Sequence, residues 1–219
     1  MQNREELDPK SNNHKFAEVA YNIIKRVMDI IGSAMGLVVL SPLLLLIGIC
    51  VKIESKGPMI FAHMRLGQGG KLLTVYKFRS MVSDAEIMLE NLSEEQKLEF
   101  DKNFKLEKDP RVTKLGSFLR KSSLDELPQL LNVFLGHMTV VGPRPIVPAE
   151  LIKYGKYADK LLSVKPGLTG SWQTSGRSDT TYDERVQLDM EYIDNRNIWI
   201  DLKIFFKTFI VVFKQIGAK

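Results

Sequence analysis

Two adjacent carboxylates, Asp125 and Glu126, sit in the run Ser123-Leu124-Asp125-Glu126-Leu127-Pro128-Gln129-Leu130. They follow the basic pair Arg120-Lys121 and precede a Gly142-Pro143-Arg144-Pro145 turn. An ionised aspartate can hold Mg²⁺, take a proton or attack phosphorus, and aspartyl-phosphate intermediates are an established form of covalent catalysis. Phosphoryl transfer also needs its charge neutralised, by arginine forks, lysines or Mg²⁺. Lys77, Arg79, Arg111, Arg120, Arg144 and Arg177 lie in or beside turns, where such clamps are usually mounted. Any one of them is more often an ordinary surface residue. Arg144 stands apart, because its flanking prolines hold the backbone and reduce the entropy lost on binding.

The alternative role for the acids is helix capping, since Ser123-x-x-Glu126 matches a capping box. Pro128 tests that reading. With Ser123 as N-cap, the proline falls where its missing donor is needed. With Asp125 as N-cap, that donor is an orphan anyway. A helix is therefore expected to start near Asp125, placing both acids at its positive end, where ionised carboxylates are favoured.

The elements that must position these groups follow from patterning. Residues 59–66 and 72–78 read as two strands around Gly67-Gln68-Gly69-Gly70, a hairpin turn. That glycine cluster lacks the GxxxxGK[ST] pattern of a phosphate loop. Residues 84–107 read as helical and exposed, and residues 127–134 as a compact apolar helix. Thr181-x-x-Glu184 is a capping box opening a helix to about residue 195. In residues 198–216, Lys203, Lys207 and Lys214 fall within about 40° on a helical wheel, one basic stripe set against the aromatics Trp199, Phe205, Phe206, Phe209 and Phe213. That pattern suits either a helix lying in a bilayer interface or a core helix with one wet face.

Residues 30–51 contain no charged side chain, a stretch of 22; about 20 suffice to cross a bilayer as a helix. The run starts too far into the chain, after a mixed-charge tail, to be a cleaved signal peptide. Ser41-Pro42 lies at its centre, so a kink is expected there, with the Ser41 hydroxyl serving a freed carbonyl. Lys25 and Arg26 precede the run, while Lys52, Lys56, Arg65 and Lys71 follow it. Positive charge at both ends favours both ends facing the cytoplasm. Two topologies remain open on this pattern: a kinked span, and a re-entrant segment that turns at Ser41-Pro42.

Composition is that of a folded protein, 44% apolar and 26% charged over 219 residues. Residues 84–109 carry a net −5, leaving +10 elsewhere, which calls for an anionic partner such as lipid head groups or phosphates. No nucleic-acid reading motif accompanies that charge, so no nucleic-acid partner is expected. The single cysteine, Cys50, excludes an intrachain disulfide framework and a cysteine-based zinc site. His14, His63 and His137 lack the spacing of a zinc enzyme. The expected architecture is α/β, mainly helical with a small hairpin or sheet. The expected divisions are a polar tail (1–20), a membrane segment (21–56) and one catalytic domain (57–219) ending in an interfacial helix.

The runs Tyr76-Lys77-Phe78-Arg79-Ser80-Met81, Asp109-Pro110-Arg111-Val112-Thr113, residues 123–129, residues 141–145, Lys165-Pro166-Gly167-Leu168-Thr169-Gly170 and Trp172-Gln173-Thr174-Ser175-Gly176-Arg177 occur in that order. Together they resemble the bacterial sugar transferases, monotopic phosphoglycosyl transferases acting on polyprenyl phosphate, over roughly residues 22–219. The resemblance implies transfer of sugar-1-phosphate from a UDP-sugar to undecaprenyl phosphate, with release of UMP. A hexose donor, UDP-glucose or UDP-galactose, is favoured over an N-acetylated amino sugar; a non-catalytic membrane-tethered adaptor is the alternative from another class. By resemblance Asp125 is the nucleophile and Glu126 its partner acid, both associated with Mg²⁺. Lys77, Arg79, Arg120, Arg144 and Arg177 match basic positions for phosphate and nucleotide binding, and Ser41-Pro42 matches the break of a re-entrant helix.

The same resemblance implies the bacterial inner membrane with the catalytic domain facing the cytoplasm, capsule or exopolysaccharide assembly, hand-over to downstream glycosyltransferases, and compatibility with a homodimer. The chain departs from the family pattern at His63, His137 and Thr139, and keeps both acids and the arginines. Without the four-helix membrane domain of larger members, it resembles the small form.

Overall fold

The computed structural model describes residues 9–103, 106, 109–176, 180–214 and 217. A helix α1 (Pro9–Val39) runs into α2 (Ser41–Glu54) through a 61° bend. Proline explains the bend: Pro42 has no N–H to offer the carbonyl of Val38, and the Ser41 hydroxyl donates to that carbonyl instead, at 2.8 Å. The polar-tail expectation is corrected here, because residues 9–20 are the first turns of α1. Residues 1–8 lie outside the described set. No single described helix is long and apolar enough to cross a membrane; the bent pair is so by length and composition.

Strands β1 (Ile60–Leu66) and β2 (Leu72–Phe78) form an antiparallel hairpin with Ile60 opposite Phe78 and Leu66 opposite Leu72. A 3-10 turn, Gln68–Gly70, closes it, as the glycine cluster implied. The acidic stretch folds as α3 (Ala85–Glu90) and α4 (Glu94–Asn103). Helix α5 (Lys114–Ser122) follows, with the Thr113 side chain capping Gly116 N–H. After α6 (Gln129–Phe134), strand β3 (Thr139–Val141) pairs in parallel with β4 (Gly167–Thr169). Between them lie a 3-10 stretch, Pro148–Tyr157, and α7 (Ala158–Leu162). The chain ends in α8 (Tyr182–Asn195) and α9 (Ile198–Phe213). Thr181 and Glu184 make the expected reciprocal capping bonds of α8. The architecture is mostly helical with two small two-stranded sheets.

Several local cores hold these pieces together. Ile47 and Val51 of α2 pack with Phe78 of β2 and Leu119 of α5. Val75, Val133 and Met138 join β2 to α6. Val141, Tyr192 and Ile204 join β3, α8 and α9. Polar bonds dock α1 on the same body. Tyr21 and Lys25 donate to Asp201 of α9, at 3.0 and 2.5 Å. Arg26 donates to the carbonyls of Val133 and Phe134 at the end of α6. The buried Asp29 accepts from Thr139 Oγ1 and Val140 N–H. At the far end of the bent pair, Glu54 accepts from Leu115 N–H. Both helices of the pair are therefore hydrogen-bonded to the same domain.

The outward faces of α1 and α2 are largely apolar, and α9 exposes aromatic side chains together with Lys203, Lys207 and Lys214. Val38, Val39, Leu45, Leu46 and Ile53 are exposed, as are Trp199, Phe206, Phe209 and Phe213. Ile204 and Val211 of α9 face the core, so this helix has a buried stripe as well as an exposed aromatic face.

Candidate active site

Helix α5 ends on Ser123, the one described non-glycine residue with a left-handed backbone (φ 57°). That conformation is uncommon outside glycine, and such strain concentrates at functional sites. It reverses the chain into a 3-10 turn, Leu124–Glu126, and α6 begins only at Gln129, with Pro128 in the N-cap position. The expectation of a helix starting near Asp125 is thus corrected. The acids occupy their own turn, and Pro128 stands at the N-cap of α6 rather than at its third residue, where its missing donor is again an orphan.

The two carboxylates have different surroundings. Glu126 Oε1 accepts from Lys77 Nζ at 2.7 Å and pairs with Arg144 Nη2 at 3.0 Å. Although burial opposes it, Arg144 and Lys77 hold Glu126 well below the usual carboxylate range. Asp125 is 7% exposed, and its carboxylate accepts no hydrogen bond from any described residue. Burial, followed by the neighbouring Glu126 charge, pushes Asp125 up to about 6 against the pull of Lys77, Arg120 and Arg144. A helix dipole favouring ionisation is therefore not what governs Asp125. It remains largely ionised at neutral pH, and its oxygens are uncommitted.

Close backbone crossings place the cations. In the Gly-Pro-Arg-Pro turn, Gly142 N–H donates to the Thr169 carbonyl, and Gly167 N–H donates to the Pro143 carbonyl at 2.7 Å. A Cβ added to Gly167 would stand 2.1 Å from Gly142 N, so only glycine allows the turn to be clamped this tightly. The clamp delivers Arg144 to Glu126. Lys77 arrives from β2, which Asn132 of α6 grips: its amide accepts from Tyr76 N–H and donates to the Thr74 carbonyl. On α5, a Cβ at Gly116 would stand 2.0 Å from the Ser80 carbonyl oxygen. This close approach lets Arg120 Nε reach Ser80 Oγ at 2.9 Å, with its charge acting on Asp125. Arg111 forms a two-pronged pair with Asp109 and so supports the segment leading into α5.

Of the residues singled out from the sequence, Asp125, Glu126, Lys77, Arg120 and Arg144 come together. Arg79 does not join them through any hydrogen bond. Its Nη2 donates to Val51 O, Ser55 O and Ser55 Oγ at the end of α2. Its Nε and Nη1 are buried without a partner among the described residues. Its place is the joint between α2 and the hairpin. Arg177 lies outside the described residues.

Two residues beside the acids were not singled out. Arg65 and Gln129 line a small cleft with Val75, Lys77, Glu126, Arg144 and Pro145. Arg65 pairs with Glu150 at 3.3 Å and meets His63 Nδ1, so it is a cleft residue rather than a membrane-flanking charge. Burial, then the positive charges of Arg65, Lys77 and Arg144, pull His63 down to about 4, keeping it neutral. The available signal was strand alternation, which puts residues 61, 63 and 65 on one face of the hairpin with Lys77 opposite Phe61.

No group of three or more His, Cys, Asp or Glu among the described residues is disposed to hold a metal ion. Mg²⁺ at phosphate sites is commonly held by one or two carboxylates plus substrate phosphates. The uncommitted Asp125 oxygens beside Glu126 fit that pattern and do not fit an all-protein cage.

The bacterial sugar transferase family profile matches residues 20–215, and the chain belongs to that family. It is 46% identical over 208 residues to an undecaprenyl-phosphate galactose phosphotransferase of Salmonella typhimurium, covering 94% of this chain and 44% of that protein. It is 44% identical over 187 residues to the exopolysaccharide production protein ExoY of Rhizobium meliloti, covering 84% of this chain and 83% of that one. It is 40% identical over 194 residues to the UDP-glucose:undecaprenyl-phosphate glucose-1-phosphate transferase of Escherichia coli, covering 85% and 39%. The chain thus spans less than half the length of the Salmonella and Escherichia relatives.

Proposed function

We propose that this protein transfers a hexose-1-phosphate from UDP-glucose or UDP-galactose to undecaprenyl phosphate and releases UMP. The observation that carries the reading is the split dyad: a buried Asp125 with no hydrogen-bond partner among the described residues, beside a Glu126 already neutralised by Lys77 and Arg144. An Asp125 oxygen attacks the phosphorus bearing the sugar. The bond from that phosphorus to the UMP oxygen breaks, its electron pair leaves with UMP, and an aspartyl-phosphosugar remains. An oxygen of undecaprenyl phosphate then attacks the same phosphorus, and the Asp125 carboxylate leaves. Lys77, Arg120 and Arg144 supply fixed positive charge as the phosphoryl oxygens pass through the transition state. Glu126 keeps Lys77 and Arg144 in place. Mg²⁺, held by the carboxylates of Asp125 and Glu126, would neutralise further charge on the diphosphate.

The membrane reading is that of a re-entrant pair, with both ends of α1–α2 in the cytoplasm and the domain on the inner face of the bacterial membrane. It is supported by the 61° bend at Ser41-Pro42 and by the anchoring of both helices to one domain. The exposed aromatic face of α9 lies in the interface beside it. A lipid acceptor explains why the site is mounted on such an element. The product is the first lipid-linked unit of a capsule or exopolysaccharide, passed on to further glycosyltransferases. The names of the relatives support this placement.

The test is UMP release by purified protein given Mg²⁺, undecaprenyl phosphate and either UDP-glucose or UDP-galactose. Turnover with one hexose and none after Asp125→Asn is the expected result. Turnover only with an N-acetylated amino sugar would move the substrate, and full activity of the Asp125→Asn variant would remove the nucleophile.

A further inference from the structure

We infer that Gln129 is a substrate-contacting residue of this site, its Nε2 donating to a non-bridging oxygen of the donor's diphosphate. The inference rests on the phosphosugar-transfer reading above and adds to it a neutral hydrogen-bond donor among the cations. Helix α6 carries two buried amides, and they behave differently. Asn132, fully buried, spends its acceptor on Tyr76 N–H and its donor on the Thr74 carbonyl. It is a structural clamp between α6 and β2. Gln129 is 2% exposed, yet its side chain makes no hydrogen bond in the described structure. It lines the same cleft as Lys77, Glu126, Arg144 and Arg65.

Among the described residues, the fully enclosed polar atoms without a partner belong to Arg79, Gln173 and Asp189 and not to Gln129, so its amide end opens on the cleft, where a ligand can take the donor. A nonpolar residue of similar volume would serve packing better. The neighbours decide what the amide receives. Lys77 and Arg144 make the cleft attractive to an anion, and the diphosphate is the anionic part of the donor. Its non-bridging oxygens accept hydrogen bonds, and only the Nε2 end of Gln129 can donate one. The nearby cations are held by Glu126, so a rigid neutral donor adds orientation where they add charge. The same contact strengthens as negative charge gathers on the phosphoryl oxygens, so it acts on kcat as well as on KM.

The test compares wild type with Gln129→Leu and Gln129→Glu, using the full chain, UDP-glucose and UDP-galactose, undecaprenyl phosphate and Mg²⁺. Gln129→Leu is expected to lower kcat/KM roughly ten- to a hundredfold, as for loss of a hydrogen bond to a charged group. Its melting temperature should be unchanged, because no hydrogen bond to another described residue is lost. A purely structural glutamine would show the reverse, a lower melting temperature with turnover kept in the folded fraction. Gln129→Glu keeps the shape and removes the donor, so it should lose activity in parallel even if the leucine variant fails to fold. Turnover within twofold of wild type in either folded variant would overturn the inference. A wild-type protein inert with both hexoses would instead overturn the transfer reading, and this inference with it.

Discussion

The Lys77 ammonium lies 2.7 Å from the Glu126 carboxylate, and Arg144 reaches the same oxygen at 3.0 Å, while Asp125 one residue earlier in the turn accepts nothing from the described residues. One acid is thereby fixed as a counter-ion and the other is left to react. The arrangement depends on three separate chain segments meeting at one turn.

The first prediction concerns Asp125. Its raised pKa, about 6, means that the nucleophile ionises near that value, so turnover should rise through pH 6 and level off above pH 7. The stability effect has the opposite sign. A folded pKa above the unfolded one, about 3.9, gives stability that is fully present below pH 4 and is lost as pH rises through 6. Asp125→Asn should therefore abolish UMP release and yet raise stability at pH 8, by on the order of 1–3 kcal/mol. The gain should vanish near pH 4. Denaturant melts at the two pH values read this directly; an equal gain at both would mean that burial of charge is not the cause.

The second prediction tests the coupling at Glu126. Lys77→Met removes one of two cations from a largely buried carboxylate. It should reduce stability by about 1–3 kcal/mol, less than for a pair losing its only partner. Adding Glu126→Gln should recover part of that loss, because no anion is then left behind. A double-mutant cycle giving no interaction energy would separate the two side chains energetically. Both variants should lose turnover strongly, since Lys77 and Glu126 also organise Arg144.

Much of this was legible in the chain, and the boundary has a physical cause. The Thr181–Glu184 capping box, the hairpin around the glycines and the break at Ser41-Pro42 are local: each depends on residues within a few positions. The role of residues 9–20 was not local. Glu18 pairs with Arg196, and Tyr21 and Lys25 just beyond it meet Asp201, some 180 positions away. The start of α6 was misplaced for a similar reason. A left-handed Ser123 is held by its surroundings, and no composition rule asks for it. Arg65 and Gln129 escaped notice because only strand register and helix packing turn them into the cleft. Arg79 shows the converse. Its type suited a phosphate, but three acceptors at the end of α2 claim one end of it.

The third prediction concerns Asp189. It is fully buried on α8, with one oxygen accepting from the Tyr154 hydroxyl at 2.8 Å and the other without a partner among the described residues. Burial raises it to about 7. By the same sign rule, it contributes stability below pH 4 that is lost as pH climbs to 7. The melting temperature should fall between pH 5 and pH 8, and Asp189→Asn should flatten that slope. An unchanged slope in the variant would assign the pH dependence to other groups. Because Asp189 lies outside the catalytic cleft, the variant should keep its turnover wherever it is folded.

The fourth prediction concerns the bend. Pro42→Ala restores the backbone N–H that proline denies the Val38 carbonyl, and the helical ladder can then run on from α1 into α2. A straight pair would carry the chain across the bilayer and pull the anchors at Asp29 and Glu54 apart, so bilayer and domain contacts compete in the variant. Cysteines introduced at residues 12 and 60, in a Cys50→Ser background, report the outcome through labelling of intact inverted vesicles. With Pro42 both sites should label from the cytoplasmic face. Opposite faces in the protein with Pro42 intact would mean a full span and would remove the re-entrant reading. In Pro42→Ala, a fraction should move to opposite faces and lose activity, since the site can no longer rest on the surface from which its lipid acceptor is reached. Ser41→Ala removes only the hydroxyl bond to Val38, at 2.8 Å. It should leave the topology intact with a stability loss of about 0.5–1.5 kcal/mol. The contrast between the two substitutions distinguishes a bend caused by the proline from one caused by its serine neighbour.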